Sequence, residues 1–270
     1  MAVAGITIFG ITGRMGQTLV RALREADTLQ ADTLRLCGAV AAPHSSRVGE
    51  DAALEGAAMG VTVTADPRVG LQNASVAIDF SVPHCVAANA RACVAAKVPL
   101  LVGTTGFDPA ARAALEAASS AIAILIAPNT STGVSVVARL VKLAAQALGT
   151  SDVEISEAHH RLKRDAPSGT ALALGEIVAR ARGQQFKDVA VFERRGSTSL
   201  RRAGDIGFSV VRAGDIVGDH TVTFAVAGER VEITHRATDR ITFARGALRA
   251  AEWLAGRPPG LYSMDDAIDP

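Results

Sequence analysis

The residues of this sequence best suited to acid–base chemistry lie in one stretch, 157–170, with the sequence EAHHRLKRDAPSGT. Five of the six residues from His159 to Arg164 are basic or can become so, although the chain has 28 Lys and Arg against 27 Asp and Glu. Because the whole chain is almost neutral, this local concentration of positive charge indicates a site for an anion. A solvated basic loop is the alternative interpretation.

Histidine titrates near neutral pH, and a neighbouring ammonium such as that of Lys163 can anchor negative charge and favour proton release. Either His159 or His160 is therefore a candidate acid. Adjacent residues of an extended chain point to opposite sides, so we do not expect the two histidines to share one role or one metal ion. The histidines without a comparable context, which we predict to be structural, are His84, His220 and His235.

A helix is predicted to begin just after this basic stretch. Ser168 follows Pro167 and precedes an apolar helical run, which is typical of a helix N-cap. Gly169 and Thr170 then lie in the first turn, where backbone N–H groups have no partner within the helix and favour an anion. A carboxylate bound there would face the basic loop.

A second candidate site is a glycine loop that follows the first predicted strand and opens the first predicted helix. Its residues are Gly10, Ile11, Thr12, Gly13, Arg14, Met15 and Gly16. A strand, this glycine spacing and a helix together are the context of a dinucleotide-binding loop, in which the pyrophosphate lies at the helix N-terminus. A glycine-rich turn that binds nothing is the alternative.

Two further segments follow predicted strands and should line the nicotinamide end of the same cleft. They are Gly103, Thr104, Thr105 and Gly106, and Ala127, Pro128, Asn129 and Thr130. Open α/β sheets bind ligands at the carboxyl ends of their strands. The second strand ends at Ala39–Pro43 without the acid that holds the ribose hydroxyls of NADH, and residues 44–47, HSSR, could accept a 2′-phosphate. A solvated connection is the alternative interpretation of this polar loop. The missing acid favours NADPH, or use of both NADPH and NADH.

The elements that must position these residues form two groups. Short apolar runs at 6–9, 34–40, 76–80, 100–102 and 122–127 alternate with alanine-rich segments, a βαβ rhythm that predicts an α/β fold with a doubly wound parallel sheet. After residue 129 we expect a helix at 132–148, a strand ending near His159, and strands 222–226 and 231–235 joined as a hairpin in an open antiparallel or mixed sheet.

The length of 270 residues and this change of texture predict two domains. Residues 1–129 would bind the dinucleotide, 130–240 the substrate, and the tail 241–270, with a helix at 242–255, would return to the first domain. The segment RAGDI occurs at 202–206 and again at 212–216, which we interpret as two similar turns flanking one strand.

Composition excludes several other classes of protein. The near-zero net charge does not favour nucleic acid or a membrane surface, and the longest apolar run is far short of a membrane span. The three cysteines have neither a disulfide framework nor metal-binding spacing, so we expect a cytoplasmic protein and no metal.

Taken in order, GITGRMG, IDFSVP, GTTGF, APNTSTGV, EAHHRLKRDAPSGTA and RAGDIVGDHT resemble the signatures of the bacterial dihydrodipicolinate reductase family along the whole chain. The resemblance implies a Rossmann-type N-terminal domain, a C-terminal α+β domain with an open mixed sheet, a homotetramer, and NAD(P)H-dependent reduction of a small dicarboxylate in diaminopimelate and lysine synthesis. It implies His159 as general acid/base with Lys163 as cationic partner, substrate binding by His160, Gly169 and Thr170, and cofactor contacts at 10–15, 103–105 and 127–130. Many relatives carry an acid and an Arg at the positions of Ala42 and Pro43, so their cofactor preference does not transfer.

Two rival functions remain at this point. Another two-domain Rossmann reductase, such as an amino-acid or semialdehyde dehydrogenase, would be expected to show a cysteine nucleophile or paired carboxylates, and neither is present in a suggestive setting. A regulator that senses NAD(P)H without turnover would explain the glycine loop but leave the basic cluster without a role. The basic stretch also lacks the interleaved aromatic residues expected of a nucleic-acid site.

Overall fold

The computed structural model describes residues 3–28, 34–196 and 200–268. Within them the chain divides into two compact units, one made of the described residues of Met1–Thr132 and Arg240–Pro270, the other of Gly133–Asp239. The predicted domains 1–129, 130–240 and 241–270 stay predictions as functional divisions, and each includes residues outside the described ranges.

The first half of the chain alternates strands with helices. In chain order the elements are β1 Ala4–Phe9, α1 Arg14–Thr28, β2 Leu34–Val40, β3 Val63–Thr64, α2 Pro67–Gly70, β4 Val76–Asp79, a 3-10 turn Pro83–Cys85, α3 Val86–Ala96, β5 Leu100–Val102, α4 Pro109–Ala118 and β6 Ala123–Ile126. The chain continues through α5 Thr132–Ala147, β7 Asp152–His159, α6 Gly169–Ala181, α7 Phe186–Val189, β8 Ala190–Val191, β9 Ile206–Arg212, β10 Gly218–Val226, β11 Glu229–Ala237, α8 Ile241–Leu254, β12 Gly260–Tyr262 and α9 Met264–Ile268.

The first unit is built on a seven-stranded sheet in the order β12-β6-β5-β4-β1-β2-β3, with every pairing parallel. Alternate residues along its strands enter two apolar clusters. One contains Ile8 with Leu19 of α1 and Ala251 of α8, and the other contains Phe9 with Leu115 of α4. Since both faces are buried under helices, β4 and β5 are buried at every position and not at alternate ones, and the predicted doubly wound α/β fold is confirmed.

Two strands of this sheet escaped the sequence prediction because neither forms an apolar run. β3 has two residues, and β12 has three and follows Pro258 and Pro259. β12 pairs with β6, and α8 buries Leu248 and Leu254 in the cluster that also contains Ile8. The last described segment of the chain therefore completes the sheet formed by the first half.

The second unit is built on a five-stranded mixed sheet in the order β11-β10-β7-β9-β8. β10 runs antiparallel to β7 and β11, whereas β7, β9 and β8 are parallel, which confirms the predicted mixed sheet. An apolar cluster covers one face and includes Val141 of α5, Leu174 of α6 and Phe224. The unit thus buries its own core.

The predicted hairpin is present, but its strands are longer than the sequence indicated. Val226 pairs with Glu229, so the turn contains only Ala227 and Gly228, and Gly228 has a φ of 90°. Two-residue hairpin turns need positive φ, which glycine adopts without strain. The predicted four-residue connection at 227–230 is therefore wrong, because residues 229 and 230 continue the ladder.

Three features of the described residues concern membrane spans, metal sites and disulfides. Among the described residues, no helix is both long and apolar enough to cross a membrane. No group of three or more His, Cys, Asp or Glu side chains in the described ranges could hold a metal ion. Cys37, Cys85 and Cys93 carry free thiols.

Candidate active site

The buried face of β7 is apolar in the first half of the strand and ionisable in the second half. Its alternating buried positions are Val153, Ile155, Glu157 and His159. The first two belong to the apolar cluster of the second unit, while Glu157 and His159 are 3% and 8% exposed. Because side chains two residues apart in a strand share a face, the apolar face of β7 ends in a buried carboxyl and a buried imidazole.

The Glu157 carboxylate accepts hydrogen bonds from three directions. Arg212 donates to both of its oxygens, at 2.7 and 2.8 Å, and the backbone N–H of Ser168 donates to Oε1 at 2.9 Å. His159 Nδ1 lies 2.6 Å from Oε2. Burial alone would raise the pKa of Glu157, but these donors outweigh it, and the net pKa is lower than usual. The carboxylate is therefore ionised near neutral pH.

The pKa of His159 is lowered, chiefly because burial penalises the imidazolium form. The hydrogen bond and charge of Glu157 act in the opposite direction, whereas the charges of Lys163 and Arg212 reinforce the lowering. An added negative charge near this ring would favour its protonated form. An anion bound beside His159 would therefore increase the fraction of this imidazole that is protonated.

His220, which we predicted to be structural, lies directly beside the candidate acid. Its ring centroid is 5.1 Å from that of His159, in an edge-on arrangement, and its Nε2 lies 2.9 Å from Ser168 Oγ. Burial first, and then the charge of His159, lower the pKa of His220 to about 4. His220 is therefore neutral near pH 7, and its ring packs against His159 without adding a charge.

The basic loop after β7 is held by the second RAGDI segment. His160 N–H donates to Ile216 O at 2.7 Å and Arg161 N–H to Gly214 O at 3.2 Å. Lys163 Nζ pairs with Asp165 at 2.8 Å, and Arg212 donates to the Asp165 carbonyl at 2.5 Å. The predicted interpretation of RAGDI as turns on either side of β9 is correct, but it missed that the second turn shapes this loop.

The predicted helix cap is present at the other side of the loop. Ser168 Oγ accepts from Ala171 N–H at 3.2 Å and caps α6, so Gly169 and Thr170 lie in the first turn. Gly169 is exposed, and a Cβ placed there would meet no atom within 4 Å. The structure therefore leaves open space at a helix N-terminus, where an anion is favoured.

The predicted dinucleotide segments lie in the other unit, at the carboxyl ends of neighbouring parallel strands. Residues 10–15 follow β1, residues 103–105 follow β5 and residues 127–130 follow β6. Since β6, β5, β4 and β1 are consecutive in the sheet, these three segments share one edge. The sequence placed them on this edge correctly.

The loop at residues 10–15 fits a dinucleotide pyrophosphate. Gly10 has a φ of 77°, and a Cβ on it would lie 2.6 Å from Phe80 O. A Cβ on Gly16 would lie 2.4 Å from Ile11 O, so α1 packs closely on the turn. Gly13 and Arg14 are exposed at the start of α1, where N–H groups lack intrahelical partners.

Several of the predicted cofactor residues have side chains that the protein itself uses. Ile11 is fully buried in the apolar core. Thr104 Oγ1 lies 3.0 Å from Asp79 Oδ1, Thr130 Oγ1 donates to Phe243 O at 2.7 Å, and Asn129 Oδ1 accepts from Ser131 N–H. Contacts from these positions to a dinucleotide would therefore be made mainly by backbone atoms.

The loop after the second strand contains one candidate for 2′-phosphate binding that already has a partner. Arg47 forms an ion pair of 2.5 Å with Glu50, and Ser45 Oγ accepts from Arg47 N–H. His44 and Ser46 are exposed. A 2′-phosphate would have to compete with Glu50 for the guanidinium.

Sequence reasoning assigned no role to Glu157 or Arg212. Glu157 could have been found from the alternation that puts it on the same face as His159. For Arg212 the available signal, the repeat of RAGDI, pointed to turn structure. Arg212 binds Glu157, and only the sheet register shows why the two are close: it pairs Arg212 with His159, which lies two residues after Glu157 on β7.

Comparisons with known proteins agree with the resemblance noted in the sequence. The family model "Dihydrodipicolinate reductase, N-terminus" matches residues 4–130, and "Dihydrodipicolinate reductase, C-terminus" matches residues 133–268. The 4-hydroxy-tetrahydrodipicolinate reductases of Thiobacillus denitrificans and Alkalilimnicola ehrlichii are each 50% identical to this chain; the alignments cover 97% of this chain, and 97% and 98% of those proteins.

A solved structure shares the fold. The dipicolinate-bound dihydrodipicolinate reductase from Paenisporosarcina sp. TG-14 is 22% identical, with a TM-score of 0.72 over 97% of this chain and 98% of that one. Because the two family models together span nearly the whole chain and the relatives are half identical over nearly their full length, this protein belongs to the dihydrodipicolinate reductase family.

Proposed function

We propose that this chain is an NAD(P)H-dependent 4-hydroxy-tetrahydrodipicolinate reductase that reduces dihydrodipicolinate to tetrahydrodipicolinate in diaminopimelate and lysine synthesis. The observation that carries the proposal is the Glu157–His159 pair at 2.6 Å, adjoining a basic loop and an open helix N-terminus. Such a site can bind a dianion and donate a proton to it. The names of the relatives supply the reaction.

Substrate binding would use the two positive features on either side of His159. The N-terminus of α6, at Gly169 and Thr170, would hold one ring carboxylate through backbone N–H groups. His160 and Lys163 would hold the other, and Lys163 is only partly exposed and already oriented by Asp165. Two fixed carboxylates orient the ring, which makes the chemical step effectively unimolecular.

A reduced dinucleotide held by residues 10–15, 103–105 and 127–130 would supply the hydride that C4 of the conjugated cyclic imine accepts. His159 then gives its proton to the adjacent ring carbon of the resulting enamine. Lys163 stabilises the negative charge that develops before this proton transfer. The carboxylates of the substrate raise the pKa of His159 when they bind, which offsets the effect of burial on the imidazolium.

For the dinucleotide we propose contacts at residues 10–15, 103–105 and 127–130, with NADPH, or both NADPH and NADH, as the cofactor. The missing acid after β2 supports this preference, and the existing ion pair of Arg47 with Glu50 supports dual use over strict NADPH specificity. We further propose residues 1–129 as the dinucleotide domain, 130–240 as the substrate and oligomerisation domain, a homotetramer, and a cytoplasmic location.

The test is oxidation of NADPH and NADH, followed by absorbance, with freshly generated dihydrodipicolinate precursor. His159→Gln should lower kcat by about 10²- to 10⁴-fold, because a positioned general acid contributes about that much. Lys163→Ala should also greatly lower turnover. His235→Gln, a change to a half-buried histidine on β11, is the matched control and should retain wild-type rates.

The outcome that would remove the proposal is a folded wild-type chain that binds either dinucleotide but oxidises neither. That result would favour a nucleotide-sensing regulator. Near-normal kcat/KM in Lys163→Ala would remove Lys163 from the mechanism while leaving the reaction in place.

A further inference from the structure

We infer that Glu157, held by Arg212, is the positioning residue for His159: it fixes the imidazole so that Nδ1 stays bound and Nε2 alone exchanges the catalytic proton. This inference rests on the proposed function, in which His159 is the proton donor. It adds two residues, on β7 and β9, that touch neither substrate nor dinucleotide in the proposal.

The hydrogen bonds around Glu157 decide which nitrogen of His159 carries the fixed proton. Two donors of Arg212 and the backbone N–H of Ser168 already point at the carboxylate oxygens. An ionised carboxylate can only accept, so the hydrogen in the 2.6 Å contact with Oε2 belongs to Nδ1. Nε2 is consequently the nitrogen that gains and loses a proton.

β10 places a glycine beside the opposite edge of the His159 ring. Gly218 lies next to it, and a Cβ at that position would be 3.1 Å from Nε2 and 3.4 Å from Cδ2. Contacts that short are tighter than ordinary van der Waals packing. The ring is therefore held on its Nδ1 side, and the glycine at 218 avoids a side chain that would crowd Nε2.

Arg212 also connects this pair to the substrate loop. The same guanidinium that binds Glu157 donates to the Asp165 carbonyl, and the Asp165 carboxylate pairs with Lys163 Nζ. One side chain thus sets the position of the acid and, through Asp165, the position of its cationic partner. Loss of Arg212 should disturb both together.

Charged and titratable groups face His159 from each neighbouring segment, and their signs make the inference testable. Glu157 is on its own strand, Lys163 comes from the loop with Asp165 as its ion-pair partner, Arg212 comes from β9 and His220 from β10. Glu157 raises the pKa of His159, whereas Lys163 and Arg212 lower it. Removing the negative charge of Glu157 should therefore lower the pKa of His159.

The experiment compares pH profiles of kcat/KM for the wild-type chain and Glu157→Gln, with NADPH and dihydrodipicolinate. In the wild type, kcat/KM should fall as pH rises through the pKa of free His159, because the acid must be protonated. In Glu157→Gln this falling limb should move to lower pH, and kcat should drop by up to about 10⁴-fold, the loss seen when a catalytic histidine loses its orienting carboxylate. KM should change much less.

Glu154→Gln is the matched control, since Glu154 lies on the same strand and also pairs with two arginines, Arg194 and Arg201. It should keep the wild-type profile. If Glu157→Gln does not fold, Glu157→Asp decides the matter: it keeps the charge but withdraws the carboxylate, so kcat should fall with little movement of the pH limb.

Glu157→Gln or Glu157→Asp with wild-type kcat and pH profile would overturn the inference. Absence of turnover in the wild type would instead overturn the proposed function, so the two failures are distinguishable.

Discussion

The two RAGDI segments contain the same five residues at opposite ends of β9, yet their arginines have different surroundings. The Arg202 side chain is 77% exposed and lies 3.5 Å from Asp205 within its own turn. The Arg212 side chain is 18% exposed and donates two hydrogen bonds to Glu157. Identical local sequence has produced a surface turn in one place and part of the candidate active site in the other.

The difference comes from where each arginine falls relative to the sheet. Arg212 is the last residue of β9 and is paired in register with His159, whereas Arg202 lies before the strand begins. A register pair places two side chains on the same face of a sheet. The segment itself therefore encodes a turn, and the neighbouring strand β7 determines the role of its arginine.

The largest expected effect that tests this comparison is that of removing each guanidinium. Arg212→Met should lower kcat/KM by about 10²-fold, because displacement of a catalytic group by about 1 Å costs that much. Arg202→Met should leave kcat/KM unchanged. Steady-state kinetics on both variants, with circular dichroism as the folding control, checks this.

The pH dependence of the same variant gives a second criterion. The positive charge of Arg212 lowers the pKa of His159, so Arg212→Met should move the falling limb of kcat/KM to higher pH, opposite to Glu157→Gln. Arg212→Lys retains the charge without the two-pronged geometry. Arg212→Lys should therefore lower kcat/KM without moving its falling limb. Equal losses of kcat/KM in Arg202→Met and Arg212→Met would show that the two arginines do not differ in role.

A smaller effect is expected from the turn glycines. Gly204 and Gly214 have φ values of 87° and 51°, where an alanine costs about 1–2 kcal/mol. Both Gly204→Ala and Gly214→Ala should lower the free energy of unfolding by that amount in thermal or urea denaturation. Only Gly214→Ala should also lower kcat/KM, by several-fold, because the Gly214 carbonyl holds the N–H of Arg161.

Unchanged kinetics in Gly214→Ala, at a temperature where the variant is folded, would show that the second turn does not shape the basic loop.

The smallest effect should come from the aspartates, and here the first copy should be the more sensitive. Asp205 is 7% exposed and accepts a hydrogen bond from Arg202 N–H, so Asp205→Ala should cost about 1 kcal/mol of unfolding free energy. Asp215 is exposed, and Asp215→Ala should not change stability measurably. Denaturation curves of the two variants check this. A lower free energy of unfolding for Asp215→Ala than for Asp205→Ala would contradict the prediction.

Long-range order in the first unit was largely predictable because its signals are local. Apolar runs covered on both faces identify β1, β2, β4, β5 and β6, and a glycine turn before α1 identifies the dinucleotide edge. β3 and β12 do not form apolar runs of this kind, so the sequence did not identify them.

In the candidate active site the sequence by itself determined the chemistry but not the arrangement. The basic loop, the histidine pair and the capped helix N-terminus are adjacent along the chain, so residue type and spacing were enough to identify His159, Lys163 and Gly169 as candidates. Glu157 belongs to the same stretch, but the sequence does not show that its side chain is buried or which groups compensate its charge.

Only the tertiary structure determined which groups compensate the charge of Glu157. β7 lies between β9 and β10, and the register of the three strands brings Arg212 and His220 to Glu157 and His159 from 53 to 63 residues away in sequence, as the pairings Arg212–His159 and His220–Glu157 show. A buried carboxylate must have its charge matched by donors, and those donors came from strands that only folding makes neighbours.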